Sequence, residues 1–407
     1  MKIVGIYGRA IFDSRGNRTV ECDVVLDNGV LGRASVPSGA STGSGEALEL
    51  RDADGGVTGA VNNINTVIAP AIIGMDPSDQ RTVDQILINL DSTESKSRLG
   101  ANAILAVSAA TLKATARALG QPLWRHIADT AGTTPSLPLP LINIINGGRH
   151  ANFTTDIQEY MIVPTGTQTI NERLTMAGKV FHTLGEVLKS EGYPTTVGDE
   201  GGYAPQFRNG NVEPLFLIGK AVQAAGYNFG SDITIALDVA ASEFYADGWY
   251  NLAADKRKLS NGEMIGWFDD LAHQFPIVSI EDGLYEDDWD GWADMTGRLG
   301  GKLQLVGDDL LVTNTNLIQR AIDERSCNAV LIKPNQIGTI SETIDAVLLA
   351  KSAHMNTIIS HRSGETEDTL IAHLAVGLGA GQIKTGSISR GERVAKYNEL
   401  LRIAEQL

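Results

Sequence analysis

The sequence predicts an α/β protein made of a small N-terminal α+β domain and a larger barrel of alternating strands and helices. Two observations predict this division. Up to about residue 130, a strand pattern is followed by helical patterns. From about residue 138, short apolar runs recur, each ends on a polar or charged residue, and helical stretches separate them. Repeated units of one strand and one helix favour a parallel barrel.

The N-terminal domain, predicted to span residues 1–130, contains a strand with a turn after it. Residues 19–26 alternate apolar and acidic side chains, which is the period of a half-buried strand. Asp27-Asn28-Gly29 follows, and Asn and Gly accept the positive φ of a tight turn. We therefore expect a hairpin at this point.

Helices are predicted for the rest of this domain. Val61, Ile64, Val67 and Ile68 fall on one helical face, and the alanine-rich run 101–118 is a strong helix former. A stretch rich in Thr, Pro, Gly and Ser then covers residues 130–140. It indicates a domain boundary, so that the barrel is predicted to span residues 131–407.

Six apolar runs of the predicted barrel end on side chains that can do chemistry: Asp238, Glu281, Asp308, Lys333, His361 and Lys384. The last five lie 23 to 28 positions apart, the length of one strand plus one helix. A single charged residue after a strand is better explained by exit into solvent. Six in succession favour a shared site, because functional groups of a barrel lie at the carboxyl ends of its strands.

The acids among these run ends predict a metal site. Each acid alone would more often be a helix cap or a surface charge. In a barrel, however, Asp238, Glu281 and Asp308 converge, and three close carboxylates repel one another unless a cation lies among them. Oxygen ligands without His or Cys favour a hard ion, Mg2+ first.

Lys333 and Lys384 end later strands on the same rim. A lysine beside a divalent cation is pushed towards its neutral form, which makes it usable as a general base. The alternative is an ion pair or a structural charge network, but burying that much charge for stability alone is unfavourable.

Three loops supply further candidate residues. After the run that ends at His361, Arg362 offers a planar fork suited to phosphate, and Ser363 adds donors at an expected helix start. Glycines flank His150 and Glu200 in two other loops, where the small residues allow a ligand to approach closely.

Composition limits the partners. Lys and Arg number 33 against 49 Asp and Glu, a formal net charge of -16, which disfavours nucleic acids and anionic membranes as main partners. An anionic substrate would need a local positive site. The two cysteines, Cys22 and Cys327, have no CxxC spacing, and no signal peptide or long apolar span is evident. We expect a cytoplasmic protein without a membrane span.

The sequence resembles the enolase family over nearly its whole length. The matching stretches, in order, are residues 13–17, 36–43, 158–159, 198–202, 279–282, 307–310, 333–338, 360–368 and 381–386. The resemblance implies a TIM-like (β/α)8 barrel of enolase type with an N-terminal α+β capping domain. It also implies a lyase that uses two Mg2+ per active site to dehydrate 2-phosphoglycerate reversibly to phosphoenolpyruvate in glycolysis and gluconeogenesis. A homodimer or a dimer-based oligomer is expected.

The resemblance also implies roles for individual residues in the reaction. The first Mg2+ would be held by Asp238, Glu281 and Asp308. Ser41, on a mobile loop, would join substrate oxygens around the second. Lys333 would be the base that removes the C2 proton, and Glu200, helped by Glu159, the acid that assists departure of the C3 hydroxyl.

Further residues would bind the substrate. Lys384 would bind its carboxylate, and Arg362 with Ser363 its phosphate. The remaining pocket-lining residues implied by the resemblance are His150, Gln158 and His361.

Two alternatives remain open at this point. One is a related lyase acting on another 2-substituted acid, against which the phosphate-suited Arg362, Ser363 and Ser41 count. The other is a copy retained mainly for binding, against which the complete acid, base and metal set counts.

Overall fold

The computed structural model describes residues 1–39 and 43–407. The N-terminal domain contains an antiparallel sheet in the order β1-β2-β3. Its strands are β1 (Ile3–Phe12), β2 (Arg18–Leu26) and β3 (Leu31–Ser35). The predicted strand at residues 19–26 and the turn after it are confirmed, since β2 and β3 pair through this hairpin.

In the described part of this domain, five helices follow the sheet: α1 (Thr58–Asn63), α2 (Ala69–Ile72), α3 (Gln80–Asp91), α4 (Ala101–Ala118) and α5 (Leu123–Ala131), with a π-helical turn, Ile64–Ile68, between α1 and α2. The alanine-rich helix has the predicted bounds and packs on the sheet. A Cβ at Gly32 of β3 would lie 2.1 Å from the carbonyl oxygen of Ala110, so only glycine permits this approach.

Eight strands close into a barrel: β4 (Leu139–Asn146), β5 (Glu159–Pro164), β6 (Ile233–Asp238), β10 (Ile277–Glu281), β11 (Gln304–Gly307), β12 (Ala329–Ile332), β13 (Asn356–Ser360) and β14 (Gly381–Lys384). The strands not in the barrel form a small antiparallel sheet: β7 (Tyr245–Ala246), β8 (Trp249–Leu252) and β9 (Arg257–Leu259).

The barrel departs from the predicted parallel arrangement in one strand. β5 runs antiparallel to both of its neighbours, β4 and β6. The described connection from β4 to β5 contains only a short 3-10 turn, Gly148–Ala151, and no crossover helix. The chain therefore re-enters the barrel at the end where β4 leaves it, which makes β5 antiparallel.

Helices surround the barrel: α6 (Ile170–Ser190), α7 (Glu213–Ala224), α8 (Asn261–Gln274), α9 (Trp289–Leu299), α10 (Thr315–Glu324), α11 (Pro334–Ile337), α12 (Ile340–Ser352), α13 (Leu370–Gly377) and α14 (Gly391–Ala404). Short 3-10 turns also occur at Gly210–Val212 and Ala241–Phe244. A capping box of Ser260 and Glu263 opens α8, with the serine Oγ 2.7 Å from the glutamate carboxylate.

The N-terminal domain lies against the carboxyl-end rim of the barrel. Ser38 and Gly364 exchange two backbone hydrogen bonds of 2.8 Å, and Lys113 of α4 forms an ion pair with Asp368. Loops of both domains therefore border the same rim.

Within the described residues, no single helix has the length and apolar composition needed to cross a bilayer, although α4 and α5 would pass that test as a pair bent by 106°.

Candidate active site

The carboxyl-end rim encloses a pocket that collects most of the sequence-predicted residues. Of those residues, the pocket is lined by His150, Gln158, Glu159, Glu200, Asp238, Asp308, Lys333, His361, Arg362, Ser363 and Lys384. All of these side chains except Lys333, which is partly exposed, are buried. Glu281 does not line the pocket itself but contacts Lys384, which does. Ser41 lies outside the described residues.

Strand register explains why three acids meet at one side of the pocket. Asp238, the last residue of β6, pairs in register with Glu159 on β5 and with Glu281 on β10. Residues directly opposite one another on adjacent strands point to the same face. Because β5 is reversed, its first residue instead of its last lies at the rim, and that residue is Glu159.

Lys384 lies at the centre of this acidic row. Its Nζ is 2.7 Å from Asp238 Oδ2, 2.8 Å from Glu281 Oε1 and 3.2 Å from Glu159 Oε1. Burial opposes the charged form, but these carboxylates outweigh it and hold the pKa of Lys384 well above its usual range. Burial and the neighbouring Asp238 raise the pKa of Glu281 well above its usual value.

Lys333 forms a second ion pair in the pocket, with Asp308. Burial lowers the pKa of Lys333, but the charge of Asp308 outweighs it and the net shift is upward. Asp308 is also held by Gln336, whose Nε2 donates to Oδ1 at 2.9 Å. The ion pair therefore favours the protonated form of Lys333, which must lose a proton before it can act as a base, and loosening the contact with Asp308 would make that loss easier.

Two acids that the sequence argument did not single out, Asp282 and Asp309, also line the pocket. Asp282 adopts a φ of 44°, a left-handed conformation that aspartate tolerates, and its carboxylate accepts the backbone N–H groups of Asp308 at 2.9 Å and Asp309 at 3.0 Å. Burial and the charge of Asp308 raise the pKa of Asp309 to about 8. The sequence signal was present: each acid directly follows a predicted ligand.

A second cluster contains Glu200, Glu159, His150 and His361. Glu200 lies 3.6 Å from His150 Nδ1 and 3.5 Å from His361 Nε2, and it accepts a 3.1 Å hydrogen bond from Asn143. Burial alone would raise the pKa of Glu200, but the neighbouring imidazoles, together with the charges of Arg393 and Lys384, lower it well below its usual value. Burial and the charge of Glu200 raise the pKa of Glu159 well above its usual value. Two carboxyl groups with opposite shifts are the arrangement that acid–base chemistry uses.

The glycines beside His150 have a packing role that the sequence did not show. A Cβ at Gly147 would lie 1.8 Å from Thr155 Oγ1 and 2.3 Å from the carbonyl oxygen of Ile157. The loop can thus fold tightly over residues 155–158, which places His150 beside Glu200.

Arg362 and Ser363 follow β13 at the edge of the pocket nearest the N-terminal domain. The guanidinium of Arg362 meets the carboxylate of Glu46 at 2.8 and 3.1 Å and Asn335 Oδ1 at 3.2 Å. A two-pronged contact with a carboxylate uses the geometry that a phosphate uses. The guanidinium fork predicted to bind phosphate is therefore occupied by Glu46, which the sequence analysis did not identify as a site residue.

The donor set fits a divalent cation. Two groups of described side chains bring ligand atoms within 4.8 Å of one another, one of His150, Glu159 and Glu200 and the other of Asp282, Asp308 and Asp309. The carboxylate oxygens of Asp282 accept hydrogen bonds from backbone amides, so that Asp282 positions Asp308. Asp238 and Glu281 both form ion pairs with the ammonium group of Lys384. A hard divalent ion suits this surplus of buried carboxylates.

The fold and the site define a class: an α/β-barrel enzyme with an N-terminal capping domain, whose rim combines acid–base groups with a carboxylate cluster able to hold a metal ion. Comparison with protein-family models identifies the family within that class. The model described as "Enolase, N-terminal domain" matches residues 3–127, and the model described as "Enolase, C-terminal TIM barrel domain" matches residues 134–407. The chain belongs to the enolase family and is a lyase of the enolase superfamily.

Proposed function

We propose that the protein catalyses the reversible, Mg2+-dependent dehydration of 2-phospho-D-glycerate to phosphoenolpyruvate in glycolysis and gluconeogenesis. The observation that carries this proposal is the convergence of Lys333, Lys384 and Arg362 in one pocket. These three cationic groups match a base, a carboxylate site and a phosphate site. They also supply the local positive charge that a protein of net charge -16 needs to bind an anion.

Lys333 is the proposed base for the C2 proton. That proton is a very weak acid because it lies next to a carboxylate, and its removal adds negative charge to the carboxylate group. Lys384, which is buried among Glu159, Asp238 and Glu281, is the proposed partner of that carboxylate. Charge stabilisation that grows as the proton leaves accelerates the reaction.

Glu200 and Glu159 are the proposed acid pair for departure of the C3 hydroxyl. Their carboxylate oxygens lie within 4.8 Å of each other and of a ring nitrogen of His150. Glu200 is the proposed donor to the leaving group, and Glu159, whose raised pKa favours its protonated form, supplies the proton that the ionised Glu200 lacks. Gln158, His150 and His361 complete the wall of the pocket.

Arg362 and Ser363 are the proposed phosphate site, with Glu46 as the anion that the phosphate replaces. The proposed ligands of the first Mg2+ are Asp238, Glu281 and Asp308, and Ser41 is assigned to the second. When bound, the metal supplies positive charge that stabilises the carboxylate oxygens of the substrate as the C2 proton leaves.

The oligomeric state and the cellular location are part of the proposal. We propose a homodimer or a dimer-based oligomer in the cytoplasm. The sequence supports the location through its two cysteines without CxxC spacing.

A substrate panel tests the proposed function. Phosphoenolpyruvate formation, followed by its ultraviolet absorbance, is expected with 2-phosphoglycerate and not with other 2-substituted acids. EDTA should abolish it and added Mg2+ restore it. Mg2+ at about 100 times its Kd should also stabilise the fold by about 2.7 kcal/mol in thermal unfolding, and Asp308→Asn should reduce this effect.

Each alternative gives a different result in this panel. Preferred turnover of another acid would replace the proposed substrate with that acid. Absence of turnover with every acid, in protein that is folded and binds Mg2+, would favour a copy retained for binding.

A further inference from the structure

Arg393 is a buried cation that no step proposed above uses. It lies in the first turn of α14, and its side chain is fully buried. A positive charge in the first turn opposes the helix macrodipole, and burying a guanidinium is costly unless its hydrogen bonds are satisfied. Stability alone is therefore a poor explanation for an arginine at this position.

The contacts of Arg393 join two loops of the pocket. Its Nη1 donates to the carbonyl oxygen of Arg362 at 2.6 Å, and its Nη2 donates to those of Ser363 at 2.6 Å and Asp199 at 3.1 Å. The first two carbonyls belong to the proposed phosphate site, and the third directly precedes Glu200. One guanidinium thus ties the phosphate-binding main chain to the loop that carries the proposed acid.

A fourth contact of Arg393 determines which ring nitrogen of His361 carries the proton. Nη1 of Arg393 lies 2.6 Å from His361 Nδ1. A guanidinium has only donors and stays charged, so Nδ1 must accept and the ring proton must reside on Nε2. Burial lowers the pKa of His361 well below its usual value, which keeps the ring neutral.

The other ring nitrogen of His361 faces the acid. Nε2 lies 3.5 Å from Glu200 Oε1 and has no hydrogen-bond partner among the described residues. A proton on Nε2 therefore makes His361 a donor directed at Glu200 and the pocket. A proton on Nδ1 would turn the same atom into an acceptor and place two N–H groups against each other.

We propose that Arg393 is a positioning residue for the proposed reaction: it fixes His361 as the Nε2–H tautomer and holds the main chain of Arg362 and Ser363 against the loop of Glu200. This inference rests on the proposed function for its catalytic consequence. The tautomer itself follows from the contacts of Arg393 alone. The paired carboxylate of Glu392, 3.3 Å from Arg393 Nε, offsets part of the buried charge.

The test is the tautomer of His361 in the full-length protein, read from long-range 1H–15N correlation of the imidazole rings by NMR. The His361 signals are identified by their loss in His361→Gln, which separates them from those of the other six histidines. The wild-type ring should be neutral with its proton on Nε2. Arg393→Met removes the donor and should populate the Nδ1–H tautomer, whereas Arg393→Lys retains a donor and should restore Nε2–H.

Lys396 offers a matched control on the same helix. It is also fully buried, and it pairs with Glu365 at 2.9 Å and with the carbonyl oxygen of Thr366 at 2.5 Å without contacting His361. Lys396→Met removes a buried cation of α14 and should leave the His361 tautomer unchanged. Arg393→Met should lower kcat/KM for 2-phosphoglycerate about 100-fold, and Arg393→Lys should recover part of it.

Three results would overturn the inference: a wild-type ring protonated on Nδ1 or on both nitrogens, an unchanged tautomer in Arg393→Met, or loss of Nε2–H in Arg393→Lys. If Arg393→Met does not fold, the wild-type and Arg393→Lys spectra still show which ring nitrogen of His361 carries the proton, and this tests the inference. An Nε2–H ring in a protein without turnover of 2-phosphoglycerate would contradict the proposed function alone. Turnover with the other tautomer would contradict this inference alone.

Discussion

At the scale of single residues, the pocket is organised by competition between charges for the same partners. Lys384 holds Asp238 and Glu281, Lys333 holds Asp308, and Glu46 holds Arg362. Each of these groups is also assigned to a substrate or a metal in the proposed reaction. Ligand binding therefore exchanges one partner for another and does not fill an empty space.

The Glu46 contact gives a direct prediction of this competition. Glu46→Gln replaces a charged hydrogen-bond acceptor on Arg362 with a neutral one, which competes less well with an incoming anion. The affinity for inorganic phosphate should rise about fivefold, equivalent to about 1 kcal/mol. Isothermal titration calorimetry measures the change.

Glu49 provides the control, because it lies on the same segment and pairs with Arg51 at 2.7 Å instead of Arg362. Glu49→Gln should leave the phosphate affinity unchanged. Weaker phosphate binding by Glu46→Gln would show that Glu46 supports the phosphate site and does not compete for it.

At the scale of secondary structure, the sequence predicted elements well where a pattern repeats. The six apolar runs correspond to β6 and to β10 through β14, and the alanine-rich helix has the expected bounds. β4 and β5 were not singled out, because both are buried along almost their whole length and show no alternation. The reversal of β5 depends on how the connection before it folds, which local sequence does not encode.

One helix-to-loop contact yields a stability prediction. Lys113 of α4 lies 2.5 Å from Asp368, whose carboxylate also accepts the backbone N–H groups of Ser35 and Leu370 at 2.9 Å. Burial raises the pKa of Asp368, but the charge of Lys113 and these hydrogen bonds outweigh it and lower the pKa below its usual value. Lys113→Met should destabilise the protein by about 3 kcal/mol at pH 7, because it leaves a buried charge unpaired.

The pH dependence follows from the sign of that shift. A carboxyl group with a lowered pKa in the folded state contributes stability above its unfolded pKa and loses it as the pH falls through its folded pKa. The free energy of unfolding, measured with urea, should therefore differ less between wild type and Lys113→Met as the pH falls from 7. The exposed ion pair Lys220–Glu191 is the control, since Lys220→Met should lower the free energy of unfolding by less than about 1 kcal/mol. Equal effects of the two variants would contradict the stabilising role of the Lys113 contact.

At the scale of the whole molecule, the site depends on both domains and on residues far apart in the chain. The run ends predicted the pocket, since the last residue of each strand or the one directly after it lies at a common rim. The supporting residues escaped prediction for a physical reason. Arg393 lies 30 or more positions from the residues it organises in the loop after β13, and Glu46 reaches Arg362 from the other domain. Such contacts become visible only when the barrel closes and the N-terminal domain covers it.

The reaction at the centre of this account has two separable steps, removal of the C2 proton and loss of the C3 hydroxyl. Lys333 and the Glu200 pair are assigned to one step each. Because each group is assigned to a different step, a variant of one should retain the step assigned to the other, which is the basis of the decisive measurement.

That measurement is exchange of the C2 proton of 2-phosphoglycerate with deuterium in D2O, followed by NMR together with phosphoenolpyruvate formation. Wild type should exchange and dehydrate, Glu200→Gln should exchange without dehydrating, and Lys333→Ala should do neither while remaining folded and able to bind Mg2+. Exchange by folded Lys333→Ala at the wild-type rate would contradict the assignment of the base and, with it, the account of this pocket.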